Sequence, residues 1–346
     1  MRMGRSRAQR GRRVVVIGAG PGGLATAMLA RAAGAQVTVL ERAPRVGGRT
    51  AAIEQDGFVF DTGPTFFLYP QIPREIFAAC GFDFDAMVPM TRLDPMYRLR
   101  FDDGRTFDAT PDVERLRAAV AGIDPEDARN VEGYLASNLA KFEAFRPVLQ
   151  KPFLGLGAFA DLDMVRALPH LRPWSTVDAD LKRWFRHPDT RLAFSFQSKY
   201  LGMSPFKCPS LFTILAHIEY GHGVFHPWGG CNAIPRAMAR ALLSMGVEVR
   251  LSEPVEEILF EGRRATGVRT AKGTYEADAV VVNADFAHAM RSLVPDRLRR
   301  RWTDARIEAK SYSCSTFMLY LGLEGSLPDL AHHGCKPAMA QAFLHN

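Results

Sequence analysis

One stretch, "RVVVIGAGPGGLATAMLARAAGAQVTVLE" from Arg13 to Glu41, narrows the possible folds more than any other. Arg13 to Ile17 is a short β-branched run of the kind buried in parallel sheets. "GAGPGG" follows, then small and apolar residues of helical character that stop at Gly34, then a second apolar strand, "QVTVLE". Strand, glycine loop, helix and strand make one βαβ unit. Gly18 permits the tight turn out of the first strand. Gly20 leaves the backbone bare for a diphosphate, and Gly23 lets the helix pack closely on the strand. Ala19 and Gly22 complete a loop whose free N–H groups and helix dipole attract phosphate. Glu41, with Arg42 beside it, stands where an acid hydrogen-bonds a ribose diol. The stretch predicts a dinucleotide site in an α/β domain.

The next residues choose among dinucleotides. The acid at Glu41 disfavours a 2′-phosphate and therefore NADP. "RVGGRT" then places Gly47 and Gly48 between Arg45 and Arg49. Nicotinamide binding needs no second glycine pair so soon after the acidic strand. An extended flavin dinucleotide does need a second backbone approach near its diphosphate, and Arg49 supplies charge there. FAD is the expected cofactor. Gly63 and Pro64 read as a fixed, tight backbone a little further on.

The 346 residues, 47% hydrophobic, suffice for about two domains of ~150 residues. Net charge is +7, and six arginines with no acid fall in the first thirteen residues. Residues 1–12 are expected to be a basic disordered tail, with an anionic membrane surface as its more interesting partner and no nucleic acid. Arginines followed by an apolar run imitate a signal peptide, but the glycines sit at phosphate-loop spacing. No run of ~20 uninterrupted apolar residues is present, so no spanning helix is expected. The five scattered cysteines form no C-x-x-C pair, which suggests neither metal nor disulfide framework and fits a reducing, cytoplasmic location.

From residue 66 to 221 the chain is rich in Phe, Pro, Leu and Arg, with several helical patterns. "DPEDARNVEGYLASNLAKFEAF" reads as one helix opened by Asp124 as N-cap with Pro125 in its first turn. The α/β pattern returns with "AIPRAMARALLSMG", "VEVRL" and short strands that close on "AVVVNAD". The expected fold is α/β: a discontinuous Rossmann-like FAD-binding domain, 13–65 and 222–290, with an inserted, largely helical substrate domain, 66–221 and 291–334.

At this point the chain resembles a family. Arg13 to Thr50 followed by "GFVFDTGPTFF" is similar to the start of the FAD-dependent amine oxidase superfamily. "SFQSKYLGMSPFKCPSLFTIL", "EYGHGVFHPWGG", "VEEILFEGRRATGVRT" and "AVVVNAD" narrow the resemblance to bacterial-type carotenoid (phytoene/dehydrosqualene) desaturases. The resemblance implies that Val255 binds adenine through its backbone. It also implies that the "DTGPT" segment, Asp61 to Thr65 with Gly63, Pro64 and Thr65 in it, passes near the flavin and that Asn283 and Ala284 end a strand beside it. It implies a long apolar isoprenoid substrate, met at a membrane by a peripherally associated protein, and desaturated by hydride transfer. Phe66, Phe67, Tyr69, Phe196, Tyr200 and Phe225 are the expected substrate-facing aromatics. "PFLGLGAFADLDMVRALPHLRPW" is a segment able to lie on a lipid surface.

No nucleophile elbow and no metal-binding helix motif appears, as suits an enzyme whose cofactor does the hard step. Glu219 and His226 are the candidate proton acceptors. A non-catalytic isoprenoid carrier of the same fold and an amine-oxidase-type flavoenzyme are the alternative functions. The resemblance stops after "FMLYLGLEGSLPDLAHHG", and residues 335–346, "CKPAMAQAFLHN", continue it in neither pattern nor composition. Family members run on beyond this point, so the chain is expected to be an inactive fragment that lacks a C-terminal portion.

Overall fold

The computed structural model describes residues 11–151, 157, 161–172, 174–313 and 317–325. Most of the basic tail, the 335–346 segment and most of 152–160 lie outside the described residues. The chain divides into two compact units. The first comprises residues up to Thr91, His226–Ser311 and those from Tyr320 on; the second comprises Arg92–Phe225 and Tyr312–Leu319.

In the first unit, β1 (Arg13–Ile17), α1 (Pro21–Ala32) and β2 (Gln36–Leu40) form the βαβ unit. A hairpin of β3 (Ala52–Gln55) and β4 (Phe58–Asp61) follows. After the second unit come α2 (Ala233–Ser244), β5 (Glu248–Arg250), β6 (Val255–Glu261), β7 (Arg264–Thr270), β8 (Gly273–Glu276), β9 (Ala279–Val282) and α3 (Phe286–Leu293). The parallel sheet runs β5–β2–β1–β9, so Val16 stands between Val39 and Val281. Strand periodicity then sorts the side chains. Val16, Val37 and Val39 face α1 and α2, whereas Val15, Ile17 and Leu40 face the antiparallel sheet β6–β7–β8 and α3. Each such aliphatic side chain contributes about 1.5–3 kcal/mol when fully buried. The three layers fix the loop after β1 from both sides.

Residues 66–91 belong to this unit, not to the inserted one as the composition suggested. Phe77 and Phe84, from the helices Gln71–Ala79 and Phe84–Met87, meet edge-on at 5.2 Å and share one core with Met28 and Leu242. Residues 291–311 likewise fall with the first unit. In both places buried apolar contact outweighs local composition.

The second unit is largely helical and includes a hairpin of Tyr97–Arg100 and Thr106–Ala109. The helix expected from Asp124 starts as anticipated, with the Asp124 carboxylate accepting from Glu126 and Asp127 N–H groups. It is not continuous, however. It ends at Ala128 and restarts as Val131–Leu149. Asn130 donates its side-chain amide to the Trp184 carbonyl (2.9 Å), and Asp127 accepts the N–H groups of Arg186 (2.7 Å) and His187 (2.9 Å). Holding a neighbouring segment takes precedence over helix continuity.

Gly23 is the packing keystone of the first unit. A Cβ there would run into the Gly18 carbonyl. Gly23→Ala is expected to cost about 1–3 kcal/mol, read as a lower urea midpoint at unchanged slope. An unaltered midpoint would remove Gly23 from that role.

Candidate functional site

The loop between β1 and α1 is held by backbone bonds and one carboxylate. Gly18 (φ +100°) donates to the Leu40 carbonyl at 2.8 Å, and a Cβ on it would lie 2.6 Å from the Asn283 carbonyl oxygen. The N–H of Ala19 donates to Glu41 Oε2 (2.7 Å), and that of Ala43 donates to Oε1 (2.8 Å). Glu41 is buried. Its own N–H donates to the Arg250 carbonyl (2.9 Å), and its carbonyl accepts from Glu253 (2.8 Å). Glu41 therefore shapes the loop as well as standing where a ribose acid belongs. Each carboxylate oxygen keeps a further lone pair for a diol. Arg42, next to it, is exposed.

The second glycine pair meets the first loop. Gly47 donates to the Ala19 carbonyl at 2.9 Å. A Cβ on Gly48 (φ +53°) would lie 3.3 Å from Gly20 Cα, and one on Gly20 would find nothing nearer than the Gly47 carbonyl at 4.0 Å. Bare backbone thus faces bare backbone at the start of α1, whose N-terminal residue Gly20 carries no side-chain cap. Gly22 lies against the Asn283 side chain. Arg49 is exposed and reaches Asp285, the cap of α3, at 3.1 Å.

Gly63 abuts the Arg49 carbonyl, which leaves no room for a Cβ. The segment Gly63–Pro64–Thr65 is thereby pinned to the second glycine loop. Its Thr65 carbonyl meets His226 Nδ1 at 2.9 Å; a carbonyl only accepts, so Nδ1 carries the proton. Buried His226 is a positioning group for this segment. Val255 opens β6 two residues beyond Glu253, and so stands close in sequence to the Glu41 clamp. Sequence reasoning named Asp61 as the start of the segment near the flavin and missed what its carboxylate holds. Its buried carboxylate accepts from Cys231 (2.7 Å) and Asn232 (3.2 Å) at the start of α2, and Asn232 donates to the Thr50 carbonyl (2.8 Å). The signal was present in "WGG": Gly230 (φ +85°) lies where a Cβ would be 2.7 Å from Asp61 Oδ2.

In the second unit, Glu219 lies in a π-helical turn, Ile218–His222, and is fully buried. Tyr200 donates to Oε1 (2.6 Å), and the Gln197 amide donates to Oε2 (2.7 Å). The hydroxyls of Tyr97 and Tyr220 pair at 3.1 Å. Tyr97 stacks on Phe196 at 5.0 Å, and Phe196 meets Tyr200 edge-on at 6.3 Å. Burial pushes the Glu219 carboxyl up to about 7, against the two hydrogen bonds, which favour its ionised form. Gln197 and Tyr97 escaped the sequence reading. Phe196, Tyr200 and half-buried Phe225 lie in this unit. Phe66, Phe67 and Tyr69 lie in the first, where Phe67 packs on the core.

A first-strand loop, a strand-end acid and a second glycine loop that converge on one cradle define an FAD-type dinucleotide-binding α/β protein. The residues fit FAD: the cradle has bare backbone that a diphosphate could approach, and the buried acid keeps lone pairs that a ribose diol could use. Residues 21–324 match the family model for flavin containing amine oxidoreductase, and the chain belongs to that family.

The chain is 39% identical over 321 residues to a 4,4'-diapophytoene desaturase (4,4'-diapolycopene-forming) of Methylomonas sp, covering 92% of this chain and 62% of the relative. It is 36% identical over 330 residues to a phytoene desaturase (neurosporene-forming) of Rhodobacter capsulatus, covering 93% and 62%. The chain thus spans less than two thirds of the length of these relatives. A solved oxidoreductase from Methanosarcina mazei shares the fold, with a TM-score of 0.59 at 22% identity over 86% of this chain and 64% of that one.

Two predictions follow from the geometry. Gly20 has an ordinary extended backbone (φ −72°), so Gly20→Ala should fold with an unchanged urea midpoint. Its methyl would occupy the cradle and weaken FAD about tenfold to a hundredfold, measured by flavin fluorescence titration. For Glu219, the folded value of about 7 exceeds the ordinary 4.5, so the proton favours the fold. The stability that Glu219 contributes should be fully present below pH 4.5 and fall by about 3 kcal/mol as pH rises to 7. Glu219→Gln should flatten that decline in urea titrations; equal slopes in parent and variant would show that Glu219 is not the group responsible.

Proposed function

We propose that this chain carries the cofactor and substrate units of an FAD-dependent desaturase acting on a long isoprenoid polyene, of phytoene or dehydrosqualene (diapophytoene) type. The observation that carries the reading is the convergence of both glycine loops on one side-chain-free cradle, in a chain 39% identical to a diapophytoene desaturase. In this reading the unit Arg92–Phe225 is the inserted substrate domain, and its aromatic cluster suits a hydrocarbon.

When bound, FAD supplies the acceptor for a hydride. Gly20, Gly47, Gly48 and Arg49 would hold the diphosphate, Glu41 the ribose, and the Val255 backbone the adenine. His226 fixes Thr65 and with it the Gly63–Pro64 segment. One substrate carbon gives up a hydride with two electrons, its neighbour gives up a proton, and the pair left on the neighbour becomes the new double bond. Glu219 is our candidate for the group that receives the proton, since its carboxyl changes charge near neutral pH. Phe66, Phe67, Tyr69, Phe196, Tyr200 and Phe225 supply apolar surface for the polyene.

We further propose peripheral contact with a membrane. No helix among the described residues is long and apolar enough to cross one. The helix Leu162–Leu171 instead turns Leu162, Val165 and Leu168 to the outside, and Trp174 beyond it is 90% exposed.

The test is a visible spectrum after purification with FAD, followed by incubation with phytoene and diapophytoene in vesicles and chromatography of the products. A flavin-loaded protein that forms longer conjugated products supports the reading. A flavin-loaded protein that leaves both polyenes unchanged overturns it.

A further inference from the structure

Residues 291–310, "RSLVPDRLRRRWTDARIEAK", hold seven cations and three acids. The acids are engaged locally. Asp296 pairs with Arg299, Asp304 with Arg299 (2.6 Å) and Arg291 (3.7 Å), and Glu308 with Arg291 (3.1 Å). Arg297, Arg300, Arg301, Arg306 and Lys310 are exposed and have no carboxylate partner among the described residues. Arg297 and Arg306 each donate to a backbone carbonyl, of Gly262 and Arg301. Amid them stands Trp302, edge-on to Phe286 at 4.9 Å, and Phe286 is itself half exposed. The Arg301 guanidinium and the Lys310 ammonium lie over the Trp302 ring, 5.7 and 5.6 Å from its centre. Five neighbouring cations without a carboxylate partner among the described residues repel one another.

We propose that this surface docks on the anionic headgroups of a lipid bilayer. The unpaired guanidinium groups suit phosphate oxygens. The Trp302–Phe286 pair suits the interfacial layer, where an aromatic body is half wet. Nucleic acid fits less well, because cations already sit over the indole and hinder base stacking. The preference for a bilayer also rests on the proposed substrate class, since a long isoprenoid dissolves in lipid.

The test is co-sedimentation of the full chain with phosphatidylcholine vesicles and with equimolar phosphatidylcholine–phosphatidylglycerol vesicles. At about 1 kcal/mol per cation near the surface, Arg300→Gln with Arg301→Gln should weaken binding to the anionic vesicles about 30-fold. The charge-matched pair Arg31→Gln with Arg240→Gln, on α1 and α2 across the parallel sheet from this surface, should bind like the parent. A thermal melt checks that both variants fold. Equal weakening by the two pairs, parent binding no tighter to anionic than to neutral vesicles, or displacement from anionic vesicles by duplex RNA would each overturn the proposal. None of these readouts uses flavin or turnover, so failure here leaves the desaturase reading to its own assay.

Discussion

The carboxylate of Glu41 organises the first unit. Two peptide N–H groups, 24 residues apart in the chain, converge on its two oxygens. Its own N–H and carbonyl bridge to the segment that follows β5. Hydrogen bonds to a buried charged acceptor are among the stronger ones a protein makes. The loop after β1 therefore takes its shape from a side chain at the end of the neighbouring strand. The second glycine loop builds on that shape, because Gly47 donates to the carbonyl of the same Ala19 whose N–H Glu41 accepts.

The two units put polar groups under cover in opposite ways. In the first, buried Glu41 and Asp61 accept from backbone amides, which stabilises their charge. In the second, Glu219 has only neutral side-chain donors within an aromatic surround, and desolvation prevails. Elsewhere in that unit a buried charge is handled by direct pairing: Lys141 meets Asp180 at 3.0 Å and Thr213 at 2.6 Å. Glu219, pushed up to about 7 by burial, has neutral hydrogen-bond donors where Asp180 has an ammonium.

Much of the first unit was legible in the sequence because its constraints are local and periodic. Gly18, Gly20, Gly23 and Glu41 occupy fixed offsets within one βαβ unit, and the β-branched strands alternate between two cores as spacing demands. "RVGGR" could be read as a second backbone approach because glycine pairs are costly without a reason. What stayed hidden depends on partners distant in the chain. Asp61 meets Cys231 across 170 residues, and Gln197 meets Glu219 through a turn no periodicity announces. The break at Asn130 was invisible because its partner, the Trp184 carbonyl, lies 54 residues on in the turn between the helices Val177–Leu181 and Pro188–Ser195. Residues 66–91 looked like part of the insertion because aromatic content does not say which core a ring will join.

The cradle between Gly20 and Gly48 consists of peptide groups alone. Peptide groups have nothing to oxidise, alkylate or titrate under physiological conditions. A cradle of this kind is thus chemically inert, in a family of flavin-containing oxidoreductases. Its vulnerability is geometric: almost any replacement adds atoms to a space that works by being vacant, so the site is encoded by what these positions leave out.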